Sequence, residues 1–472
     1  MPYSSNSTLQ TTLTGNTYRS IWENTWPMLL IMVFNFLVGV TDVYVAGLIG
    51  SEVQAAIGFI AQLYFLLIIL ANAIGIGTIS LVSQASGAEQ TGPPIQMAQQ
   101  SLLFGILTAI VLSLGGLLVP RWIVQLSGFP AKIQDIGAAF LQIFALALGP
   151  NYFLIISGAV FRSRGEPLKP LLVMTIVSAL NIALEFGLVF GYGPLPKMGY
   201  TGIALATAIS FVAGALLTVA LFLTPSWRPV FRPPFRIDRG YIRVLFSRSW
   251  PAALLQLSWN AGSVVLYGLL GRLGGESIAA LAAYSNGLRL EAIIYLPAFA
   301  LNMAASVMVG QNLGAGSKDR AARLGWQTAG IGALVLGLLA AIIYGLSESL
   351  AGFLTSDPQV FRETVNYLKI NMLAEPFMAV SLALAGGLMG AGATRTPLYV
   401  VSTAMWLIRI PLAWILAFHL ALGPTGIWLA MTLSMTAQGG LMAWRFKVGK
   451  WDRAGGIAEP ADERRLGKIA KP

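Results

Sequence analysis

Apolar residues run along this chain in blocks far longer than a soluble strand or helix requires, each closed by a short polar or glycine- and proline-containing break. A span needs about 20 mostly apolar residues to cross a hydrocarbon core of about 30 Å. The pattern predicts twelve spans, at 26–48, 55–82, 97–119, 136–161, 170–192, 199–223, 250–270, 279–309, 325–346, 367–390, 398–420 and 422–443. Between the sixth and the seventh lies a stretch rich in proline and arginine, with Arg228, Arg232, Arg236, Arg239, Arg243 and Arg248. The chain therefore reads as an all-α membrane protein: a polar N-terminal tail at 1–25, an N-lobe at 26–224, a basic linker at 225–249, a C-lobe at 250–446 and a basic tail at 447–472.

The two lobes repeat one another. Trp26-Pro27 recurs as Trp250-Pro251, Glu52 with Ala55-Ala56 as Glu276 with Ala279-Ala280, and Gln84 with Gly87-Ala88 as Gln311 with Gly314-Ala315. Gly165 with Pro170 recurs as Gly392 with Pro397, and Thr201-Gly202-Ile203 as Thr425-Gly426-Ile427. Six spans is an even number, so both lobes start from the same side. The expectation is a pair of parallel six-helix repeats, related by a pseudo-twofold along the membrane normal, around a central cavity.

Composition agrees with the bilayer. Hydrophobic residues make up 56% of the 472 and charged residues only 10%, against about a quarter charged in soluble domains. The chain has no cysteine and one histidine, His419, which leaves no disulfide, no thiolate metal site and no imidazole cluster. A net charge of +11 would suggest nucleic acid in a soluble protein; here roughly 22 of the 30 Lys and Arg fall on the side shared by the linker and both termini, and about 6 on the other. That bias predicts cytoplasmic termini and linker in a multi-pass protein of the cell inner membrane. Residues 1–25 lack a basic-then-apolar signal layout and are expected as a retained tail. The expected partners are the lipid bilayer and small organic substrates, with no nucleic acid, and the expected state is a monomer.

Every charge inside a span needs an account, because an unpaired carboxylate in hydrocarbon is costly. The first and fifth spans both run outward from the cytoplasm. At 1.5 Å per residue, Asp42 lies about 24 Å from the start of its span and Glu185 about 22 Å from the start of its own. Asn181 is one turn below Glu185 on the same face, and Thr207 descends about 12 Å from the outer end at Gly199, reaching a similar level. Two acids, a carboxamide and a hydroxyl at one depth predict an oxygen-rich cation-coupling site. The repeat supports this: Asp42 corresponds to Leu266, Asn181 to Ile408, Glu185 to Leu412 and Thr207 to Met431, so all four polar positions turn apolar in the second lobe. Arg289 and Glu291, two residues apart, point to different faces and are expected to pair with neighbouring spans. Glu375 before Pro376 is expected at a kink within reach of the cavity, and Arg409 before Pro411 is expected to pair with an acid. His419, at the outer end of its span, is assigned no role. Pro27 is read as a hinge or as a proline tolerated in a first helical turn, and Gln84 and Gln311 as structural.

The sequence resembles the multidrug and toxic compound extrusion (MATE) family over nearly its whole length. The resemblance is carried by Trp26-Pro27 with Asp42, the stretch from Asn181 to Glu185, Gly199–Thr207 (GYTGIALAT), Leu288-Arg289-Leu290-Glu291 and Val309–Gly316 (VGQNLGAG). Asp42 with Asn181 and Glu185 is most similar to the DinF-like branch, whose cation site lies in the first half; the NorM-like branch's acid in the seventh span has no counterpart here. Glu185 stands where the family usually has Asp. The resemblance implies an antiporter that exports amphipathic, cationic organic compounds in exchange for H⁺, Na⁺ or both, with Pro27 as a hinge, no cofactor and no metal beyond Na⁺ at Asp42, Asn181 and Glu185. A lipid-linked oligosaccharide flippase of the same superfamily is the alternative, disfavoured because only Arg289 and Arg409 offer cations within the spans. A membrane enzyme would want a His, Cys or paired-acid constellation near the interface, and none is present.

Overall fold

In hydrocarbon no water is available to the backbone, so each N–H and C=O has to find its partner within the segment. A computed structural model describes residues 7–88, 93–118, 120–125, 130–233 and 237–451, and its regular structure there is entirely helical. Arg236 of the linker, residues 1–6 and the tail from 452 onward lie outside the described residues. The first part of the chain forms α1 (Ser7–Thr14), α2 (Thr17–Ile49), α3 (Ser51–Gly87), α4 (Pro93–Leu118), α5 (Pro120–Gln125), α6 (Ala131–Ser163), α7 (Leu168–Phe190) and α8 (Tyr200–Phe222). The rest forms α9 (Arg239–Gly271), α10 (Ser277–Gly314), α11 (Lys318–Gly345), α12 (Ser347–Leu354), α13 (Pro358–Asn371), α14 (Glu375–Gly390), α15 (Arg395–Ser402), α16 (Ile410–Trp414) and α17 (Gly423–Val448).

Among the described residues, eleven helical runs are long and apolar enough to cross a membrane. The expected twelfth span is α17, a 26-residue helix outside that set. Its composition explains the difference. Thr425, Thr432, Ser434 and Gln438 lower its hydropathy, and each is used inside the protein. Asn366 donates to Thr425 Oγ1, Thr432 to the Ile370 carbonyl, Arg409 to Ser434 Oγ and Gln438 to Ser381 Oγ.

Several elements differ from the hydropathy reading. The expected tail is helical from Ser7, with Thr12 and Ser20 buried. The tenth run begins at Pro358 rather than 367, because Asp357 caps it: its Oδ1 accepts from the Gln359 and Val360 amides, and Pro358 takes the first helical position. That run is then broken by a tight 3₁₀ turn at Met372–Ala374 immediately before Glu375. The eleventh contains two π-helical segments, Thr403–Arg409 and Ile415–His419, on either side of α16.

The chain divides into two compact units, one from Met1–Thr11, Trp22–Val82 and Gln90–Leu257, the other from Thr12–Ile21, Ser83–Glu89 and Ser258–Pro472. In unit 1, α4 packs on α6, and α6 and α7 pack on α8. Its core near the candidate acids includes Val45, Ala46, Phe140, Phe144, Val189 and Ile203. The linker docks here too: buried Trp227 donates to Glu166 Oε2, which also holds Lys169 at 2.6 Å. The start of α9 joins unit 1 through Arg248 Nη1 on Ser80 Oγ at 2.9 Å and Tyr241 Oη with Ser101 Oγ at 2.8 Å.

In unit 2, α10 and α11 pack on α14, which packs on α17. The corresponding ends of α3 and α10 meet within this unit as a reciprocal pair. A Cβ at Gly87 would overlap the Gln311 carbonyl oxygen, and a Cβ at Gly314 would overlap that of Gln84. Only glycine permits that approach. Gln84 completes the junction by donating to the Gly390 carbonyl at 2.9 Å, which agrees with a structural role for both glutamines.

Candidate functional site

Unit 1 brings Asp42, Asn181, Glu185 and Thr207 together from three helices. Asp42 comes from α2, Asn181 and Glu185 from successive turns of α7, and Thr207 from α8. Asn181 Nδ2 donates to Thr207 Oγ1 at 3.1 Å, and Thr207 itself donates to the Ile203 carbonyl at 3.2 Å. Ser178, one turn below Asn181, reaches the Phe34 carbonyl of α2 at 3.4 Å. Asn181 and Glu185 are 1% and 0% exposed, whereas Asp42 is half-buried.

The carboxyl groups of Asp42 and Glu185 face each other within hydrogen-bonding reach. An ionised carboxylate only accepts. Asp42 Oδ1, both Glu185 oxygens and Asn181 Oδ1 are buried without a donor. A shared proton would turn the two acids into a donor–acceptor pair, and a cation would neutralise them while drawing on the same oxygens. The donor set is hard oxygen throughout, which suits H⁺ or an alkali cation as transported species. Among the described residues no group of three or more His, Cys, Asp or Glu could hold a metal ion.

The corresponding positions of unit 2 are apolar filling. Leu266 and Met431 sit in its core at 0% and 4% exposed, and Leu412 packs against that core. The polar asymmetry between the repeats is thus an asymmetry of buried chemistry.

Unit 2 holds the other charges within the spans. Glu291 is bonded by two tyrosines: Tyr367 Oη donates to Oε1 at 2.6 Å and Tyr295 Oη to Oε2 at 3.1 Å. Arg289 does not pair with a neighbouring span; its side chain is exposed, and no ion pair holds it among the described residues. Arg409, expected to pair with an acid, instead donates from Nε to Ser434 Oγ at 2.8 Å and lies 5.2 Å over the Trp259 ring. Arg409 closes the first π-helical segment. Glu375 follows the 3₁₀ break, fully buried, with neither oxygen hydrogen-bonded. Pro27 sits well inside α2, which begins at Thr17. The first-turn reading is therefore overturned, and Pro27 offers no N–H to the preceding turn of its helix.

The residues missed by sequence reasoning are Tyr295 and Tyr367. Tyr295 was legible, being one turn from Glu291 on the same face. Tyr367 was not, because it is 76 positions away and meets Glu291 only in the fold.

The MatE family model matches residues 27–186 and 251–415. The probable multidrug resistance protein NorM of Thermotoga maritima is 25% identical over 431 residues, covering 89% of this chain and 90% of that protein. The protein of the same name from Rhodopseudomonas palustris is 26% identical over 438 residues, with 89% and 90% covered. A solved structure described as MATE in the bent conformation superposes with a TM-score of 0.86 at 18% identity, covering 96% of this chain and all of that one.

Proposed function

The chain belongs to the MATE family, and from that premise we propose that it is an antiporter that exports amphipathic organic cations in exchange for H⁺ or Na⁺. The family makes it a multi-pass multidrug efflux transporter and not an enzyme. The observation that carries the finer reading is the facing pair Asp42 and Glu185, whose buried oxygens stand unpartnered beside Asn181 and Thr207. An ion and a cationic substrate would compete for this negative charge, and competition for one charge is what exchange requires. With the charge compensated, the helices carrying these residues can close around the site, and α2 can bend near Pro27, where its backbone bond is missing. Because the acids lie in unit 1 and no acid occurs in Trp250–Leu270, we place the coupling site as the DinF-like branch does. The same proposal includes two parallel six-helix repeats, supported by the internal matches, and inner-membrane insertion with cytoplasmic termini, supported by the lysine and arginine bias.

Efflux from proteoliposomes tests it. A fluorescent cationic dye should be expelled under an imposed pH gradient, a Na⁺ gradient or both. Equal efflux with neither gradient would contradict antiport.

A further inference from the structure

Arg289 is an exposed guanidinium set well inside an apolar helix. It stands about 18 Å along α10 from the helix start, between the runs Ser277–Leu288 and Ala292–Leu296. A charge at such a place is costly in hydrocarbon and is found facing a partner or a water-filled cavity. No carboxylate pairs with it among the described residues. Glu291 turns to another face, where Tyr367 and Tyr295 hold it.

The surroundings suit a ligand better than a lipid chain. Helical side chains lean towards the helix N-terminus, and on that side the same face carries Ala282 and Ser285, both half-buried. The Tyr267 hydroxyl lies within electrostatic range of Arg289, and Tyr267 is 40% exposed. Behind it the aromatic wall is continuous: Tyr267 meets Tyr284 edge-on at 4.8 Å, Tyr284 stacks on Trp428 at 6.1 Å, and Trp428 meets Tyr367 at 4.8 Å. A fork of N–H donors beside a fixed ring matches an aromatic compound bearing an oxyanion.

We propose that Arg289 is a specificity-determining residue that binds a carboxylate or similar oxyanion carried by the transported compound, with Tyr267 against its apolar body. This rests on the transporter reading and deepens it: the preferred substrates carry an anionic group in addition to their ammonium. An arginine can also snorkel to a lipid phosphate, and the test separates the two.

The full-length protein is reconstituted in vesicles of neutral phospholipid, and separately with anionic phosphatidylglycerol added. Equilibrium binding is measured for a zwitterionic rhodamine acid and its methyl ester, which differ only in the free carboxylate. The wild type should favour the acid, and Arg289→Gln should lower the acid-to-ester affinity ratio about tenfold in both lipid mixtures. Arg289→Lys should keep part of the preference, since it retains the charge but not the fork. A ratio unchanged by Arg289→Gln, or one that changes only in the phosphatidylglycerol vesicles, overturns the proposal; the latter assigns the guanidinium to lipid phosphate. Should Arg289→Gln fail to fold, the ratio in Arg289→Lys decides, and equality with wild type overturns the proposal. Binding is read without a gradient, so a wild type that prefers the acid yet moves neither dye under a gradient would remove the antiport reading and leave Arg289 in its role.

Discussion

Asp42 and Glu185 illustrate how much chemistry the spacing of single residues carries. Depth along a helix needs only a residue count, and the count puts Asp42, Asn181, Glu185 and Thr207 at one level; the fold joins Asn181 to Thr207 at 3.1 Å and sets the two acids face to face. Asp42→Asn should abolish gradient-driven efflux while leaving expression and the melting temperature close to wild type, since Asn occupies the same volume; full efflux by this variant would remove Asp42 from coupling. For Glu185 the prediction concerns pH. Lowering external pH protonates the pair and should weaken binding of a cationic dye from that side, and Glu185→Gln should flatten the curve of affinity against pH. Identical slopes in both proteins would leave Glu185 structural and make buried, unpartnered Glu375 the next candidate. In unit 2, Tyr367→Phe removes one of the two donors to Glu291. It should destabilise the protein by about 1–3 kcal/mol, the cost of leaving a buried acceptor short of a bond, which a thermal shift assay can detect.

At the scale of the element, hydropathy located the helices but not their interruptions. A sliding apolar window cannot see that Asp357-Pro358 starts α13 early, that a 3₁₀ turn precedes Glu375, or that π-helical segments flank α16. These follow from which side chains must reach which partners, as when Arg409 is turned onto Ser434 and Trp259. The repeat gives a sharper test of the elements. Leu266→Asp on α9 or Leu412→Glu on α16 copies the unit 1 acids into unit 2, where Ile408 and Met431 replace the polar ligands. Such a carboxylate costs roughly 2.5–3.5 kcal/mol on insertion scales, so both variants should insert and accumulate poorly. A stable Leu266→Asp protein that binds an additional cation would show that the surrounding ligands are not needed.

For the whole molecule, the family match over residues 27–186 and 251–415 leaves a break at 187–250 that takes in α8 as well as the linker. Orientation is open to direct measurement because the chain contains no cysteine. A cysteine at exposed Arg228 in the linker should react with an impermeant maleimide only from the cytoplasmic side, and one at exposed Lys197, between α7 and α8, only from outside. The opposite pattern would reverse the assignment drawn from lysine and arginine counts.

Sequence alone determined what needs only spacing and transfer free energy: that the chain is helical and membrane-spanning, that it is an internal repeat, and that one half carries four polar groups at a common depth. These properties depend on the period of the helix and the thickness of hydrocarbon, neither of which varies with context. Tertiary structure decided which buried charges are satisfied and by what. Glu291 takes a tyrosine from 76 positions away, Arg409 takes a hydroxyl and a ring instead of an acid, Glu375 takes nothing, and Arg289 is left exposed. Hydrogen bonds and ring contacts act over a few ångströms between helices distant in the chain, and hydrophobic periodicity records nothing of that proximity.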